Sequence, residues 1–166
     1  MPYQKLKDTA REFLTLKRIA IVGVSRRGDV AANIVYKRLR KEGYQVFPVN
    51  PNAEEVEGDS CYPDLSSIDG GEEGVVIGTH PNVTAEVVRQ CGELDIKNVW
   101  MHRSFSQGSV DDEAVKHCDE LGISVIPGAC PMMFCEPVDT GHKCMRWFLG
   151  FSGGLPQPRT SKSQNL

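Results

Sequence analysis

At 166 residues the chain has about the length of one domain and can bury a hydrophobic core without disulfide staples. Hydrophobic residues make up 40% of it and charged residues 25%, and no apolar run reaches the ~20 residues of a membrane-spanning helix, which excludes an integral membrane protein. The net charge of −3 excludes a protein that attracts nucleic acid through its overall charge.

The N-terminus and the cysteines indicate the compartment. Residues 1–16 mix charged and apolar side chains, so they lack the unbroken apolar core of a secretory signal. The six cysteines are spread through a chain that can fold without bridges, which favours reduced thiols. We therefore expect a cytoplasmic protein.

Short β-rich segments alternate with longer amphipathic segments, the pattern of a parallel sheet covered by crossover helices. In chain order, the pattern predicts a helix over 4–14, strands over 18–22, 45–49, 74–78, 98–101 and 123–126, and a last helix over 142–149. Three helices are predicted between the strands: one capped by Asp29, one from Val83 onward and one behind a capping box of Ser109 and Asp112. Residues 153–166 are polar and are predicted to be a disordered tail.

These elements predict one Rossmann-like α/β domain over residues 1–152. It would have three layers, a doubly wound parallel sheet of about five strands and extra helices at both ends. Right-handed crossovers favour the strand order 3-2-1-4-5, and ligands bind where such an order reverses. We therefore expect the site beside Gly23, at the end of the first strand.

The turn after the first strand is suited to an anionic ligand. Backbone amides and a helix N-terminus can receive phosphate there, and Gly23 lets the backbone turn closely. Ser25 offers a hydroxyl, while Arg26 and Arg27 offer charge-assisted hydrogen bonds. The stretch 17–41 holds eight basic residues against the single acid Asp29, which favours an anionic small molecule. The alternative is a simple tight turn at Gly23 with two solvated arginines.

A conventional NAD site is not expected in this turn. Such a site has three glycines in the turn and an acidic residue after the second strand. This chain has Gly23 and Gly28 in the turn and Asn50 at the acidic position. Asn50 and Pro51 can instead flank an adenine or a 3'-phosphorylated ribose.

Five short motifs together resemble those of the CoA-binding domain family. In order along the chain they are Gly23-Val24-Ser25, Pro48-Val49-Asn50-Pro51, Tyr62-Pro63-Asp64-Leu65, Val99-Trp100-Met101 and Cys130-Pro131. The resemblance covers residues 16–133. The chain is similar to the N-terminal CoA-binding domain of the succinyl-CoA synthetase α subunit and closer to stand-alone bacterial CoA-binding proteins.

The resemblance implies that the chain binds coenzyme A or an acyl-CoA. It places Gly23, Val24, Ser25 and Arg26 at the phosphates, with Val49, Asn50 and Pro51 along the nucleotide or pantetheine channel. Gly78, Thr79, His80 and Pro81 would form another wall of the site. Met101, Arg103 and Cys130, at the ends of the last two strands, complete the predicted set.

No catalytic residue and no metal site are expected. The synthetases carry their phosphorylated histidine in a second domain that this sequence lacks, so the resemblance implies binding without ligase chemistry. The nearest approach to a metal site, formed by Cys130, Cys135, His142 and Cys144, has no Cys-x-x-Cys knuckle. Cys130 is instead expected near the thiol end of bound CoA, where oxidation would form a mixed disulfide.

Two other functions stay open. One is an enzyme acting on an acyl-thioester or a phosphorylated nucleotide, with His80 or His102 as its acid or base. The other is a ligand-free protein-interaction domain. Trp147 and Phe148 are expected to pack on the core or on another subunit, so the partners to consider are a CoA ligand, a second copy and another protein, with no nucleic acid or membrane.

Overall fold

A computed structural model describes residues 2–161 of the chain. In chain order its helices and strands are α1 (Pro2–Phe13), β1 (Arg18–Val22), α2 (Ala31–Lys41), β2 (Gln45–Val49), β3 (Glu55–Val56), β4 (Asp59–Ser60), β5 (Gly74–Ile77), α3 (Pro81–Glu93), β6 (Asn98–Met101), α4 (Asp112–Glu120), β7 (Ser124–Pro127) and α5 (Thr140–Ser152). Two short 3₁₀ turns, Leu65–Ser67 and Pro131–Met133, complete them.

Five parallel strands form the central sheet, in the order β2-β1-β5-β6-β7. The predicted Rossmann-like α/β fold is therefore confirmed, with helices on both faces of the sheet. The predicted strand order is wrong, because the third main strand, β5, pairs with β1 on the side away from β2. In this order the reversal lies between β1 and β5, which makes these two strands the neighbours of any ligand at the switch point.

The strands are buried on both faces and therefore read as continuous apolar runs rather than alternating ones. One core cluster, around Ile21, Trp100 and Met132, joins the sheet to α1, α2 and α5. The other, around Ile77, Val88 and Val99, joins it to α3 and α4. The sheet is thus held rigidly from both sides, and its strand ends are fixed relative to one another.

The caps of two helices differ from the prediction. Helix α2 begins after Val30 rather than after Asp29, and helix α4 is capped by Asp111, whose carboxylate accepts a hydrogen bond from the Ala114 backbone N–H. Ser109 is not part of a cap, because its hydroxyl donates to the carbonyl of Thr79. Side chains near a helix start compete for the same amides, and spacing alone did not decide between neighbours.

The extra helices at both ends are present as α1 and α5. Residues 153–161 differ from the predicted disorder, because Arg159 pairs with Val125 of β7 through two backbone hydrogen bonds of 2.8 and 2.9 Å. Two prolines of this segment, Pro156 and Pro158, are also buried. Residues 162–166 lie outside the described residues. Across residues 2–161, no helix has both the length and the apolarity to cross a membrane.

One carboxylate at the amino end of β5 is buried without full hydrogen bonding. Glu72 precedes β5, and its Oε1 atom is buried without a hydrogen-bond partner among the described residues. Burial raises the pKa of Glu72 to about 7, although the nearby positive charge of Arg18 lowers it. The folded protein therefore holds this proton more tightly than the unfolded chain does.

We expect Glu72→Gln to stabilise the protein above neutral pH. Below the unfolded pKa of Glu72 the carboxyl is protonated in both states and the substitution gains nothing. As the pH rises through the folded value, the wild type must bury a charge, so the variant gains about 1–2 kcal/mol after allowance for solvent screening. Urea unfolding at about pH 8 and about pH 5 measures the difference.

The neighbouring Glu73→Gln is the matched control, since Glu73 is exposed and should change stability little at either pH. A Glu72→Gln gain of the same size at both pH values would contradict the assignment.

Candidate ligand-binding cleft

A cleft of about 510 Å³ opens at the carboxyl ends of β1, β2 and β5. It brings together most of the predicted site residues, namely Gly23, Val24, Ser25, Val49, Asn50, Pro51, Gly78, Thr79 and His80. Its position coincides with the switch point of the sheet, where α/β folds of this kind bind their ligands.

Two glycines allow the floor of this cleft to close tightly. Gly23 has a φ of +99°, and a Cβ atom there would lie 2.7 Å from the carbonyl carbon and oxygen of Gly78. A Cβ on Gly78 would in turn lie 2.8 Å from the Cβ of Ala32 in α2. The Gly23 N–H donates to Val49 and the Gly78 N–H donates to Val22, so the three strand ends are joined at this point. Any side chain here would push the turn and α2 away from the sheet.

Asn33, a residue that the sequence analysis did not single out, fixes the shape of the turn. It is fully buried in α2, and its side-chain carbonyl accepts from the Ser25 N–H at 2.7 Å. Its amide group donates to the Ser25 carbonyl at 2.7 Å and to a carboxylate oxygen of Glu57 at 2.9 Å. The side chain thus clamps both backbone groups of one turn residue. An Asn at the third position of an amphipathic helix, on its apolar side, was the available signal, since buried amides need several partners.

Asn50 clamps the same turn from the β2 side. Its side-chain amide donates to the Val24 carbonyl at 2.8 Å, and its side-chain oxygen accepts from the Asn52 N–H at 2.8 Å. Asn50 was predicted to flank a ligand, and it does line the cleft. Its polar atoms, however, hold the protein backbone, so Asn50 shapes the wall of the cleft as well as facing it.

The start of α2 differs electrostatically from the starts of the later helices. Side chains of His80, Asp111 and Asp139 accept hydrogen bonds from first-turn amides of α3, α4 and α5. At Val30, the residue before α2, no side chain among residues 2–161 does so. The first amides of a helix have no partner within the helix and carry its positive dipole end. The start of α2 therefore presents uncapped donors and partial positive charge beside the turn.

A polar network forms the wall at β5. The hydroxyl of Thr84 donates to the Ser109 carbonyl at 2.7 Å and lies 3.3 Å from the hydroxyl of Thr79. The Ser109 hydroxyl donates back to the Thr79 carbonyl at 2.6 Å. The loop after β6 is thereby tied to the loop after β5. At the same wall, His80 caps α3 and its Nδ1 atom lies 2.8 Å from Oδ1 of Asn82.

The cleft also has lining residues that the sequence analysis missed. They come from the first turns of α3 and from the segment after Tyr62: Pro63, Asp64, Leu65, Val83, Glu86, Val87 and Gln90. Val83 was assigned to a helix face but not to a site. Hydrogen bonds from the side chains of Ser66 and Ser67 lower the pKa of Asp64, whose carboxylate also caps the 3₁₀ turn. The hydrogen bond from Arg89, at 2.9 Å, lowers the pKa of Glu86. These acidic groups disfavour an anion on this side of the cleft.

Six predicted site residues do not line the cleft. Arg26 and Arg27 are exposed at the tip of the turn, and Pro81 is the first residue of α3. The remaining three are Met101, which ends β6, Arg103, which follows β6, and Cys130, which follows β7. These strands lie two and three positions from β1. Arg103 and Cys130 were included because the carboxyl ends of all the strands meet at one edge of the sheet, and Cys130 also because of the family resemblance.

The surroundings of these three residues confirm their separation from the cleft. Met101 is fully buried between Ile77 and Pro127 in the sheet. Arg103 lines a different groove, with Pro127 and Gln157. Cys130 is buried in the core cluster that contains Trp100, and burial raises the pKa of its thiol to about 12. The expected mixed disulfide with CoA therefore has neither an accessible sulfur nor a thiolate, and the structure contradicts it.

His102 is also removed from the cleft. Its side chain is buried, and burial lowers the pKa of the imidazole to about 4, with a further lowering from His142. Of the two histidines considered as an acid or base, only His80 faces the cleft.

The sheet order defines a Rossmann-like α/β domain with a cleft at its switch point. The CoA binding domain family matches residues 17–136, and the chain belongs to that family. The match covers β1 through β7 and ends before α5.

Similar proteins agree with this assignment. YneT of Bacillus subtilis, an uncharacterized protein, is 33% identical over 114 residues, which are 69% of this chain and 82% of YneT. The solved structure of a hypothetical protein from Pyrococcus horikoshii is 38% identical, with a TM-score of 0.73 over 80% of this chain and 91% of that one.

The acetate–CoA ligases (ADP-forming) are larger relatives. Ligase II of Archaeoglobus fulgidus is 31% identical over 101 residues, which are 58% of this chain but 15% of the ligase. The chain is thus homologous to the CoA-binding domain of such synthetases and matches only a small part of the whole enzyme.

Proposed function

We propose that the chain binds coenzyme A or an acyl-CoA in this cleft as a stand-alone module, without the chemistry of the ligases. The observation that carries the proposal is the close contact between Gly23 and Gly78, which brings the turn after β1 and the start of α2 to the switch point of a CoA-binding-family sheet. The diphosphate would lie against the turn, where the amide groups and the helix dipole favour negative charge.

The rest of the ligand would lie along the apolar part of the cleft. Val49 and Pro51 form one side of it, and Val83 and Val87 form the other. Asp64 and Glu86 keep phosphate groups away from this end by like-charge repulsion. Arg26 and Arg27, outside the wall but next to it in the turn, would reach the phosphates from solvent.

Ligand-induced stabilisation tests the proposal. CoA should raise the melting temperature of the full chain, and NAD and NADP should raise it less. At equal ligand concentration, the ligand that binds the folded state more tightly stabilises it more. We expect this difference because NAD sites have an acidic residue after the second strand to bind the adenosine ribose, and this chain has Asn50 there. The family assignment points to CoA as well. A shift with NAD equal to or larger than that with CoA would defeat the proposal.

Paired variants locate the phosphates. Replacing Arg26 and Arg27 with Ala should weaken CoA binding by about 1.5–3 kcal/mol and leave the fold intact, since both side chains are exposed. Lys5→Ala with Arg11→Ala removes the same charge from the exposed face of α1 and should leave the affinity unchanged. Calorimetric titration of both pairs separates a local contact from a loss of overall charge.

A further inference from the structure

Helix α5 lies outside the part of the chain that the CoA-binding family covers, and it has two apolar faces. One face packs on the protein through Met145, Arg146 and Leu149. The other face carries Cys144, Trp147, Phe148 and Phe151, and all four side chains are exposed. Both sets follow the spacing of one helix face, and a soluble helix normally has one such face.

The exposed face is unusually large. Trp147 is 73% exposed, Phe148 53% and Phe151 85%. Phe105, from the loop after β6, extends the surface, because its ring centroid lies 6.2 Å from that of Phe148. Trp147 and Phe151 stack at 6.1 Å and stand as one aromatic unit. These four aromatic residues are named the aromatic surface below.

We propose that the aromatic surface is the contact between two copies of this chain, packed with their α5 helices antiparallel around a two-fold axis. Rings that each offer 150–250 Å² expose roughly 400–700 Å² at these fractions. That is at or above the largest apolar patch of a typical monomer and near the ~800 Å² per partner of a standard interface.

The spacing of the stripe is itself self-complementary. Positions 144, 147, 148 and 151 are separated by three, one and three residues, so the stripe reads the same in both directions. An antiparallel second copy would set Trp147 against Phe148 and Cys144 against Phe151 of the other copy, twice. Aromatic pairs and sulfur–aromatic contacts are both favourable.

The charges along α5 are compatible with this arrangement. The helix contains no Asp or Glu, and its exposed cation is Lys143. In the antiparallel arrangement the two Lys143 side chains are about 13 Å apart along the axis at 1.5 Å per residue, beyond the screening length at physiological salt. Each would lie beside Phe151 of the other copy, where a cation over an aromatic ring is stabilised.

Residues 162–166 carry little apolar surface to set against the aromatic surface. The last described residue, Ser161, lies at the start of β7, where its N–H donates to the Ser124 hydroxyl. Residues 162–166 contain one apolar side chain, Leu166. A single leucine does not match four aromatic rings.

Sedimentation equilibrium of the full chain tests the proposal. We expect twice the monomer mass of 18.4 kDa at concentrations from about 1 to about 100 µM. The double variant Trp147→Glu, Phe151→Glu should raise the dimer dissociation constant at least about 100-fold, because both residues occur twice in the interface. Ile34→Glu, which places the same charge on an exposed apolar residue of α2, should leave the dimer unchanged.

Two results would overturn the proposal: a wild-type monomer throughout this range, or a dimer that survives the double variant. Cosedimentation with vesicles of phosphatidylserine and phosphatidylcholine decides the main alternative. Binding of a monomeric wild type to those vesicles, lost in the double variant, would assign the surface to a membrane instead. Unchanged far-UV circular dichroism spectra and cooperative thermal unfolding verify that the variants fold, since loss of the dimer would itself lower the melting temperature. CoA binding is measured separately, so the outcome here does not depend on it.

Discussion

Gly23→Ala is expected to damage both the fold and ligand binding. The added Cβ would lie 2.7 Å from the backbone of Gly78, which cannot move without disturbing β5 or Ala32 behind it. The alanine would also have to adopt a φ of +99°, a backbone conformation that residues with a Cβ atom rarely adopt. Together the clash and the strain should cost about 3 kcal/mol or more, a fall of about 6–12 °C in melting temperature. Thermal unfolding and CoA titration measure the two effects.

Gly43→Ala separates the clash from the strain. Gly43 follows α2 with a φ of +89°, and a Cβ there would meet nothing within 4 Å. This control should cost only about 1–2 kcal/mol and leave CoA affinity unchanged. If the two variants lost equal stability, close packing at the strand ends would not be what requires glycine at position 23.

Asn33→Ala should be the second most damaging change in the cleft. It removes three hydrogen bonds, and the backbone N–H of Ser25 loses its buried partner. We expect a loss of about 2–4 kcal/mol in the free energy of unfolding and at least about a 10-fold loss of CoA affinity, because the turn would no longer be held in one shape. Urea unfolding and calorimetric titration supply the two numbers.

Two further variants sharpen this result. Asn33→Asp keeps the acceptor for Ser25 but loses both donors and faces the carboxylate of Glu57, so it should be nearly as damaging as Asn33→Ala. Asn98→Ala removes one longer hydrogen bond of 3.2 Å at the other edge of the sheet and should cost less than about 1 kcal/mol. Normal affinity in Asn33→Ala would show that the turn is shaped by other contacts.

The sequence predicted the strands of the sheet closely, because buried parallel strands are short apolar runs bounded by glycine and proline. It did not predict their order. The chain between Pro51 and Glu73 contains a small hairpin and a 3₁₀ turn rather than a regular helix, and nothing local in it states on which side of β1 the next strand pairs. Strand order depends on packing throughout the core, and local sequence patterns do not determine it.

The same difference divides the predicted site. Residues directly after β1, β2 and β5 lie together because β2 and β5 flank β1 in the sheet. The predicted order also kept these three strands adjacent, so the error in their order did not separate the residues. Arg103 and Cys130 follow strands two and three positions from β1, at the same edge of the sheet, and lie outside the cleft. Asn33, Glu86 and Val87 were missed because a helix face reaches the cleft only through packing, whereas a strand end can be located from the sequence alone.

The bare start of α2 implies a conflict between stability and function. A cap at Val30, such as Asp or Ser, would normally stabilise a helix by about 1 kcal/mol. Under the proposed binding mode, that side chain would occupy the amides that the ligand phosphate needs. In the free protein the start of α2 therefore has no side-chain cap. Under the proposed binding mode, the bound ligand phosphate would act as that cap. Selection for a more stable empty protein and selection for tight binding would favour different residues at this position.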